Sequence, residues 1–130
     1  MRILFCGDRH WTNYKVICEV MAELKPDVVI EGEAAGADIL SREAAEYFGI
    51  QVQRFPANWA KYGRAAGPIR NTQMLKEGKP DMVVAFHNSI TTSKGTLNMV
   101  NQSRKQGVKV MVYTETGPYV TFDATGTLPL

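Results

Sequence analysis

The strongest constraint on the fold is an alternation of short apolar runs with longer amphipathic segments. Arg2–Cys6 is a predicted first strand, and Val28–Ile30 is a second run made only of apolar residues. Between these runs, apolar residues recur at helical spacing up to Leu24, which predicts a helix with Thr12 as its N-terminal cap. Strands that alternate with helices predict βαβ units and a parallel sheet.

The same alternation continues as far as Tyr113. Later strands are predicted at Ile50–Phe55, Met82–Phe86 and Val108–Tyr113, with helices from Asp38 to about Phe48, from Pro68 to about Glu77 and over Thr96–Gln106. We therefore predict that residues 1–113 form a Rossmann-like three-layer α/β sandwich with a mainly parallel sheet of about five strands. Residues 114–130 are expected to be an extension that adds an edge strand around Tyr119–Phe122 or packs on a partner.

Length, charge and cysteine content exclude several classes of protein. No apolar run approaches the roughly 20 residues that cross a bilayer, and the N-terminus lacks a signal-peptide core, so a cytoplasmic protein without membrane contact is expected. Cys6 and Cys18 have no metal-ligand spacing, and neither a metal nor a cofactor is predicted. The net charge of +2 is too small for the broad basic surface of a non-specific DNA-binding protein.

A short sequence echo supports the register of these elements. Lys25-Pro26-Asp27 and Lys79-Pro80-Asp81 each precede an apolar strand, and each strand leads to a glycine-containing loop and a helix. The echo reflects either two βα units with similar needs or a duplication.

Glycine-rich and charged segments follow the predicted strands, where open α/β sheets bind their ligands. In the segment 32–38, Gly32 and Gly36 would let the backbone approach an anion at the start of a helix. The alternative is a tight turn that needs glycine for geometry alone. The spacing is not G-x-G-x-x-G, so no dinucleotide fingerprint is predicted.

Two further helix starts carry polar side chains suited to phosphate. Arg70 and Asn71 follow Gly67-Pro68 and can face the crevice, where Arg70 would donate to phosphate or carboxylate. Ser93-Lys94-Gly95-Thr96 follows the fourth strand, with Lys94 to neutralise phosphate and Thr96 as a candidate cap. This spacing is not a Walker A loop, so ATPase chemistry is not predicted.

The end of the first strand and the long loop 56–67 hold the aromatic candidates. Trp11 would either stack on a base or cover the edge of the core. Trp59 and Tyr62 would either form one wall of a pocket or fasten the loop. The histidines at 10 and 87 are weak catalytic candidates.

The predicted ligand-binding residues share a position after a strand or at a helix start. They are Gly7, Arg9, Trp11, Gly32, Glu33, Gly36, Asp38, Gly67, Arg70, Asn71, Ser93, Lys94, Gly95 and Thr96. Asp8, Glu33 and Asp38 are the candidate catalytic carboxylates. Alternatively, Asp38 only caps its helix and Glu33 only pairs with Arg70.

These segments resemble one known family. The stretches GDRHW (7–11), GEAAGAD (32–38), FPANW (55–59), YGRAAGPIRN (62–71) and SKGT (93–96) are similar to small bacterial and phage proteins of the SLOG superfamily. That superfamily also contains the lonely-guy phosphoribohydrolases and the DNA-processing Smf proteins. The resemblance implies a Rossmann-like fold, a nucleotide-derived ligand and, because relatives often pair through helices, a homodimer.

The resemblance also shows where this chain departs from the enzymes. Arg70 looks like the arginine of the lonely-guy enzymes, and Gly95-Thr96 looks like their Gly-Thr pair. The position of their catalytic glutamate falls on Met99, which cannot move a proton. Binding of a nucleotide or nucleotide sugar, for sensing or sequestration, is therefore favoured over N-glycosidic hydrolysis with a displaced acid. Single-stranded DNA binding ranks third because no stripe of alternating aromatic and basic residues is present.

Overall fold

The computed structural model describes residues 1–116 and 120–122, and their strands form one sheet in the order β3-β2-β1-β4-β5-β6. The strands are β1 Arg2–Gly7, β2 Val28–Glu31, β3 Gln51–Arg54, β4 Met82–Phe86, β5 Lys109–Tyr113 and β6 Val120–Phe122. The first five are parallel, and β6 pairs antiparallel with β5. The predicted α/β sandwich with a mainly parallel sheet is confirmed. Of the predicted extension, residues 117–119 and 123–130 lie outside the described residues.

Helices cover both faces of this sheet. They are α1 Tyr14–Leu24, α2 Ala37–Tyr47, α3 Trp59–Tyr62, α4 Ala66–Gly78 and α5 Gly95–Lys105. Alternate strand residues point to opposite faces, so Phe5 packs with α1 and α2 whereas Leu4 packs with α4 and α5. Both side chains are fully buried, as expected for a central strand covered on two sides. Among the described residues, no helix combines the length and apolarity that spanning a membrane requires.

Two predicted helix caps are corrected by the structure. Helix α1 begins after Asn13, whose Oδ1 accepts from the backbone N–H of Val16 at 3.3 Å, so the cap is Asn13 rather than Thr12. At the start of α5, the Ser93 hydroxyl accepts from the N–H of Thr96 at 3.1 Å, and Thr96 itself is buried and is not the cap.

The predicted long loop after β3 is partly helical. Asn58 Oδ1 accepts from the N–H of Lys61 at 3.1 Å, which starts the single turn of α3. A 3₁₀ turn over Gly63–Ala65 follows, and α4 then begins at Ala66 rather than at Pro68. The loop prediction was wrong for residues 59–65 because this short helix has too few residues to show a helical period.

The two Lys-Pro-Asp segments make the same turn on either side of β1. Lys25 and Lys79 end α1 and α4 in the left-handed conformation, with φ of 49° and 48°. The N–H of Asp27 then donates to the carbonyl of Met1, and the N–H of Asp81 donates to the carbonyl of Arg2. The echo therefore matches a shared local geometry that joins a helix to each neighbour of the central strand.

Candidate functional site

The strand order places a crevice beside the carboxyl ends of β1 and β4. The chain moves outward in one direction from β1 to β3 and in the other direction from β4 to β5, so the loops that follow β1 and β4 separate. A cleft of about 750 Å³ opens there, within the range of small-molecule sites.

Most of the predicted site residues line this cleft together. They are Gly7, Asp8, Arg9, Asp38, Gly67, Arg70, Asn71, Ser93, Lys94, Gly95 and Thr96. The remaining four, Trp11, Gly32, Glu33 and Gly36, lie behind or beside the lining. Side chains outside the predicted set also contribute, chiefly Trp59, Arg64, His87 and Asn98.

Arg70 is held at the cleft wall by backbone and side-chain acceptors. Its Nη1 donates to the Gly32 carbonyl at 2.6 Å, and its Nε donates to Asn71 Oδ1 at 3.0 Å. A Cβ at Gly32 would lie 2.6 Å from Arg70 Nη1 and 2.9 Å from Asp38 Oδ2. Gly32 is therefore required by the close approach of these two charged groups, and its function in this structure is to make room for them.

Asn71 links the two helices of this wall. Its Nδ2 donates to Asn98 Oδ1 at 3.1 Å and to the Gly95 carbonyl at 3.3 Å. The buried amide thus ties the second turn of α4 to the first turn of α5, and it fixes the orientation of Arg70.

Asp38 is a buried carboxylate that borders the cleft. It is 5% exposed, and its Oδ2 accepts from the N–H of Ala34 at 3.3 Å. Burial raises the pKa of Asp38 to about 6, although the nearby Arg70 guanidinium and the backbone N–H groups of Ala34 and Gly32 oppose that rise. Asp38 can therefore carry or release a proton near neutral pH.

Glu33 has partners other than the predicted Arg70. Its Oε1 lies 2.9 Å from Arg42 Nε and 3.5 Å from Arg54 Nε, so the proposed pairing with Arg70 was wrong. The left-handed backbone at Glu33, with φ of 58°, turns its side chain toward α2 and β3 instead of the cleft.

Glu31, the last residue of β2, was not among the site residues predicted from the sequence. This carboxyl is fully buried, and its Oε1 accepts from the N–H of Glu33 at 2.7 Å. Burial and the neighbouring Glu33 side chain raise the pKa of Glu31 to about 9. The sequence does carry a signal for Glu31, because this acidic residue directly follows a purely apolar strand. Burying a carboxyl there is costly, so such a position deserves to be counted among the candidate site residues.

Two other glycines of the predicted set, Gly7 and Gly36, lie where segments of backbone pack closely together. A Cβ at Gly36 would lie 2.4 Å from the carbonyl carbon of Arg9, and a Cβ at Gly7 would lie 2.3 Å from the Phe86 oxygen. Gly36 does not line the cleft, and its contacts fit the alternative interpretation in which a turn needs glycine for geometry. Gly7 borders the cleft while also packing on β4.

The two tryptophans have different environments. Trp11 is 3% exposed, packs 5.6 Å from the Phe86 ring and donates its Nε1–H to the Asn13 carbonyl at 2.9 Å. The ring therefore covers the edge of the core, and the stacking hypothesis for Trp11 is corrected. Trp59 is 60% exposed and lies at the rim of the cleft.

The cleft lining is positively charged overall. Four Arg or Lys side chains border it, against the two carboxyls of Asp8 and Asp38. The first turns of α4 and α5 also face it, and the N–H groups at helix starts attract anions. Asp8 Oδ2 lies 4.0 Å from His87 Nε2, and Met99, which also borders the cleft, is buried.

Known proteins resemble the chain in two comparisons. The model of the YspA, cpYpsA-related SLOG family matches residues 1–62. The Gene 61 protein of Mycobacterium phage D29 is 30% identical over 120 residues, which cover 85% of this chain and 94% of that protein. The family-model match ends where the YGRAAGPIRN stretch begins, so it covers the loops after β1 and β2 but not Arg70 or Lys94.

Proposed function

Because the chain belongs to the YspA, cpYpsA-related SLOG family, we propose that it binds a nucleotide or nucleotide-sugar-derived ligand in the cleft at the ends of β1 and β4. Membership of this family fits binding or processing of nucleotide-related ligands in general. The observation that carries the proposal is the convergence of four cationic side chains and two helix starts on one cleft of about 750 Å³.

The phosphate of the ligand would lie at the α5 side of the cleft. Lys94 is the residue before the first turn of α5, and it is exposed. A cation at a helix start is unfavourable beside the positive end of the helix dipole, and a bound anion removes that penalty. Lys94 and the N–H groups that follow it would therefore hold phosphate, with Arg70 fixed at the neighbouring start of α4.

A second candidate function is hydrolysis of an N-glycosidic bond. It is supported by Asp38, because this carboxyl borders the cleft with its pKa raised to about 6 and lies close to Arg70. A carboxylate in this position would stabilise positive charge that develops on a sugar ring, as the proposed mechanism requires. Asp8 also borders the cleft, and its Oδ1 accepts from the N–H of His10 at 2.9 Å. Glu33 is directed away from the cleft by its two arginines.

Ligand binding is tested by thermal shift of the purified chain against AMP, ADP-ribose, NAD, cyclic nucleotides and nucleotide sugars. Lys94→Ala and Arg64→Ala are compared with Lys76→Ala, a matched exposed cation toward the other end of α4. We expect a compound that stabilises the wild type and Lys76→Ala but binds about 10-fold more weakly to Lys94→Ala, since a charge-assisted hydrogen bond is lost. Absence of a shift with every compound would contradict the proposal.

Chromatography of each stabilising compound then separates binding from hydrolysis. An intact ligand after long incubation supports a sensing or sequestering protein. Release of free base that is abolished in Asp38→Asn supports the glycosidase. Release that survives in Asp38→Asn would show that Asp38 is not the acid.

A further inference from the structure

Trp59 is a large aromatic side chain that the core does not use. Its side chain is 60% exposed, whereas Trp11 is 3% exposed. The exposed ring borders the same cleft as Arg64, Arg70 and Lys94. An indole ring exposed to solvent at the rim of a charged cleft is a favourable binding surface, because covering it with a flat apolar group lowers the free energy.

The surrounding backbone holds this ring in place without covering it. Asn58 caps the turn that carries Trp59, and the N–H of Gly63 donates to the Trp59 carbonyl. The Cη2 atom of Trp59 lies 3.5 Å from the position that a Cβ would take at Gly67, so one edge of the indole rests on the start of α4. The ring is thus placed before any ligand arrives, which lowers the entropy cost of stacking on it.

We infer that Trp59 is the platform on which the base of the ligand stacks. This inference rests on the proposed function and makes it more specific. The cleft then has an aromatic part at Trp59 and an anion-binding part at Ser93–Thr96, which fits a ligand carrying both an aromatic base and phosphate. Base-free sugar phosphates would use only the second part, so Trp59 would set the preference for nucleotides over such compounds.

A neighbouring aromatic provides a matched control. Tyr62 lies on the same short helix, is 40% exposed and is not part of the cleft lining. The alternative is that Trp59 belongs, with the exposed side chains of Tyr62 and Ile69, to an apolar patch that a second copy of the chain covers.

The test measures the affinity of AMP and of ribose 5-phosphate by calorimetry for the wild type, Trp59→Phe, Trp59→Ala and Tyr62→Ala. We expect Trp59→Ala to weaken AMP binding by about 5- to 100-fold, because stacking of one base on an aromatic side chain is typically worth that much. Trp59→Phe should retain most of the affinity, and Tyr62→Ala should bind as the wild type does. The affinity for ribose 5-phosphate should be the same in all four proteins.

Fluorescence adds a readout that a structural role would not produce. The chain has two tryptophans, so Trp59→Phe leaves Trp11 as the only emitter. AMP should quench the wild type and leave the emission of Trp59→Phe unchanged, although both proteins bind it.

Each contrary outcome has a distinct meaning. If the wild type binds none of the nucleotides, the proposed function fails and the role of Trp59 fails with it. If AMP binds equally to wild type and Trp59→Ala, or if ribose 5-phosphate is weakened as much as AMP, the proposed function stands and the stacking role is wrong. A change of oligomeric state in Trp59→Ala by light scattering, with AMP affinity unchanged, would assign the patch to self-association.

Discussion

Pairs of carboxylates at the two ends of the sheet have opposite environments, exposed at the amino end and buried at the carboxyl end. At the amino end, Asp27 pairs with the amino group of Met1, and Asp81 accepts from the N–H of Arg2 at 2.7 Å. Both carboxylates are exposed, and the hydrogen bond and charge of the Met1 amino group lower the pKa of Asp27. At the carboxyl end, Asp38 and Glu31 are buried, and burial raises the pKa of each.

This difference separates structural from functional use of charge. Exposed carboxylates that pair with the ends of β1 help to set the register of the turns before β2 and β4. Buried carboxylates beside a cationic cleft reduce stability and are retained more easily where a ligand or a reaction uses them. The comparison yields predictions about glycine geometry, about pH dependence and about single hydrogen bonds.

The largest effect is expected from a pair of glycine substitutions at the two ends. Gly36 at the carboxyl end and Gly49 at the amino end both have positive φ, 76° and 70°, but only Gly36 has backbone within 4 Å of an added Cβ. Gly36→Ala should lower the free energy of unfolding by about 3–5 kcal/mol, from backbone strain plus overpacking, and Gly49→Ala by about 1–2 kcal/mol. Urea denaturation measures both, and equal losses would show that the two loops are not tightly packed at Gly36.

The second effect is a pH dependence of opposite sign at the two ends. The pKa of Asp38 is raised from 3.8 to about 6 on folding, so its contribution to stability is fully present below pH 3.8 and is lost as the pH rises through about 6. Asp38→Asn removes this loss. Its free energy of unfolding should therefore rise relative to wild type by about 2–3 kcal/mol between pH 4 and pH 7.

Asp27→Asn is the control at the amino end. The hydrogen bond and charge of the Met1 amino group lower the pKa of Asp27, so its contribution is present above pH 3.8 and is lost as the pH falls through the folded value. Asp27→Asn should accordingly lose stability relative to wild type as the pH rises from below 3.8. Parallel curves for Asp38→Asn and wild type would contradict the assigned shift of Asp38.

The spacing of apolar residues, together with the Gly, Pro and Asp residues between the apolar runs, was sufficient to predict the fold. The strand at Met82–Phe86 was predicted with the bounds that the structure shows, because an apolar run between Pro80-Asp81 and a polar loop has one simple interpretation. Gly49 follows the cap of α2 with positive φ, the conformation that glycine commonly takes just after a helix. The caps that the structure shows at Asn13 and Ser93 were predicted at Thr12 and Thr96, since Asn, Ser and Thr all carry a side-chain oxygen that can accept from a backbone N–H.

Partners across the sheet could not be predicted in the same way. Glu33 and Arg70 both stand at helix starts in the sequence, but Arg42 and Arg54 reach Glu33 through the packing of α2 against β3. The expected cluster of polar residues did converge on the cleft, because parallel strands bring their carboxyl ends to one edge. Glu31 was missed because the predicted strand ended one residue before it.

The smallest effect tests the amino end by removing one acceptor. Asp81→Ala deletes the carboxylate that accepts from the N–H of Arg2 at 2.7 Å, while the backbone bond from Asp81 N–H to the Arg2 carbonyl remains possible. We expect a loss of about 1 kcal/mol in the free energy of unfolding, which is typical of a single exposed or part-exposed hydrogen bond. Nucleotide affinity should be unchanged, because Asp81 lies at the opposite end of β4 from the cleft.

Lys94→Ala should show the reverse pattern, with weaker binding and an unchanged free energy of unfolding. A loss of nucleotide affinity in Asp81→Ala would show that the two ends are coupled through β1 and β4, and would remove the separation between structural and ligand-binding charges.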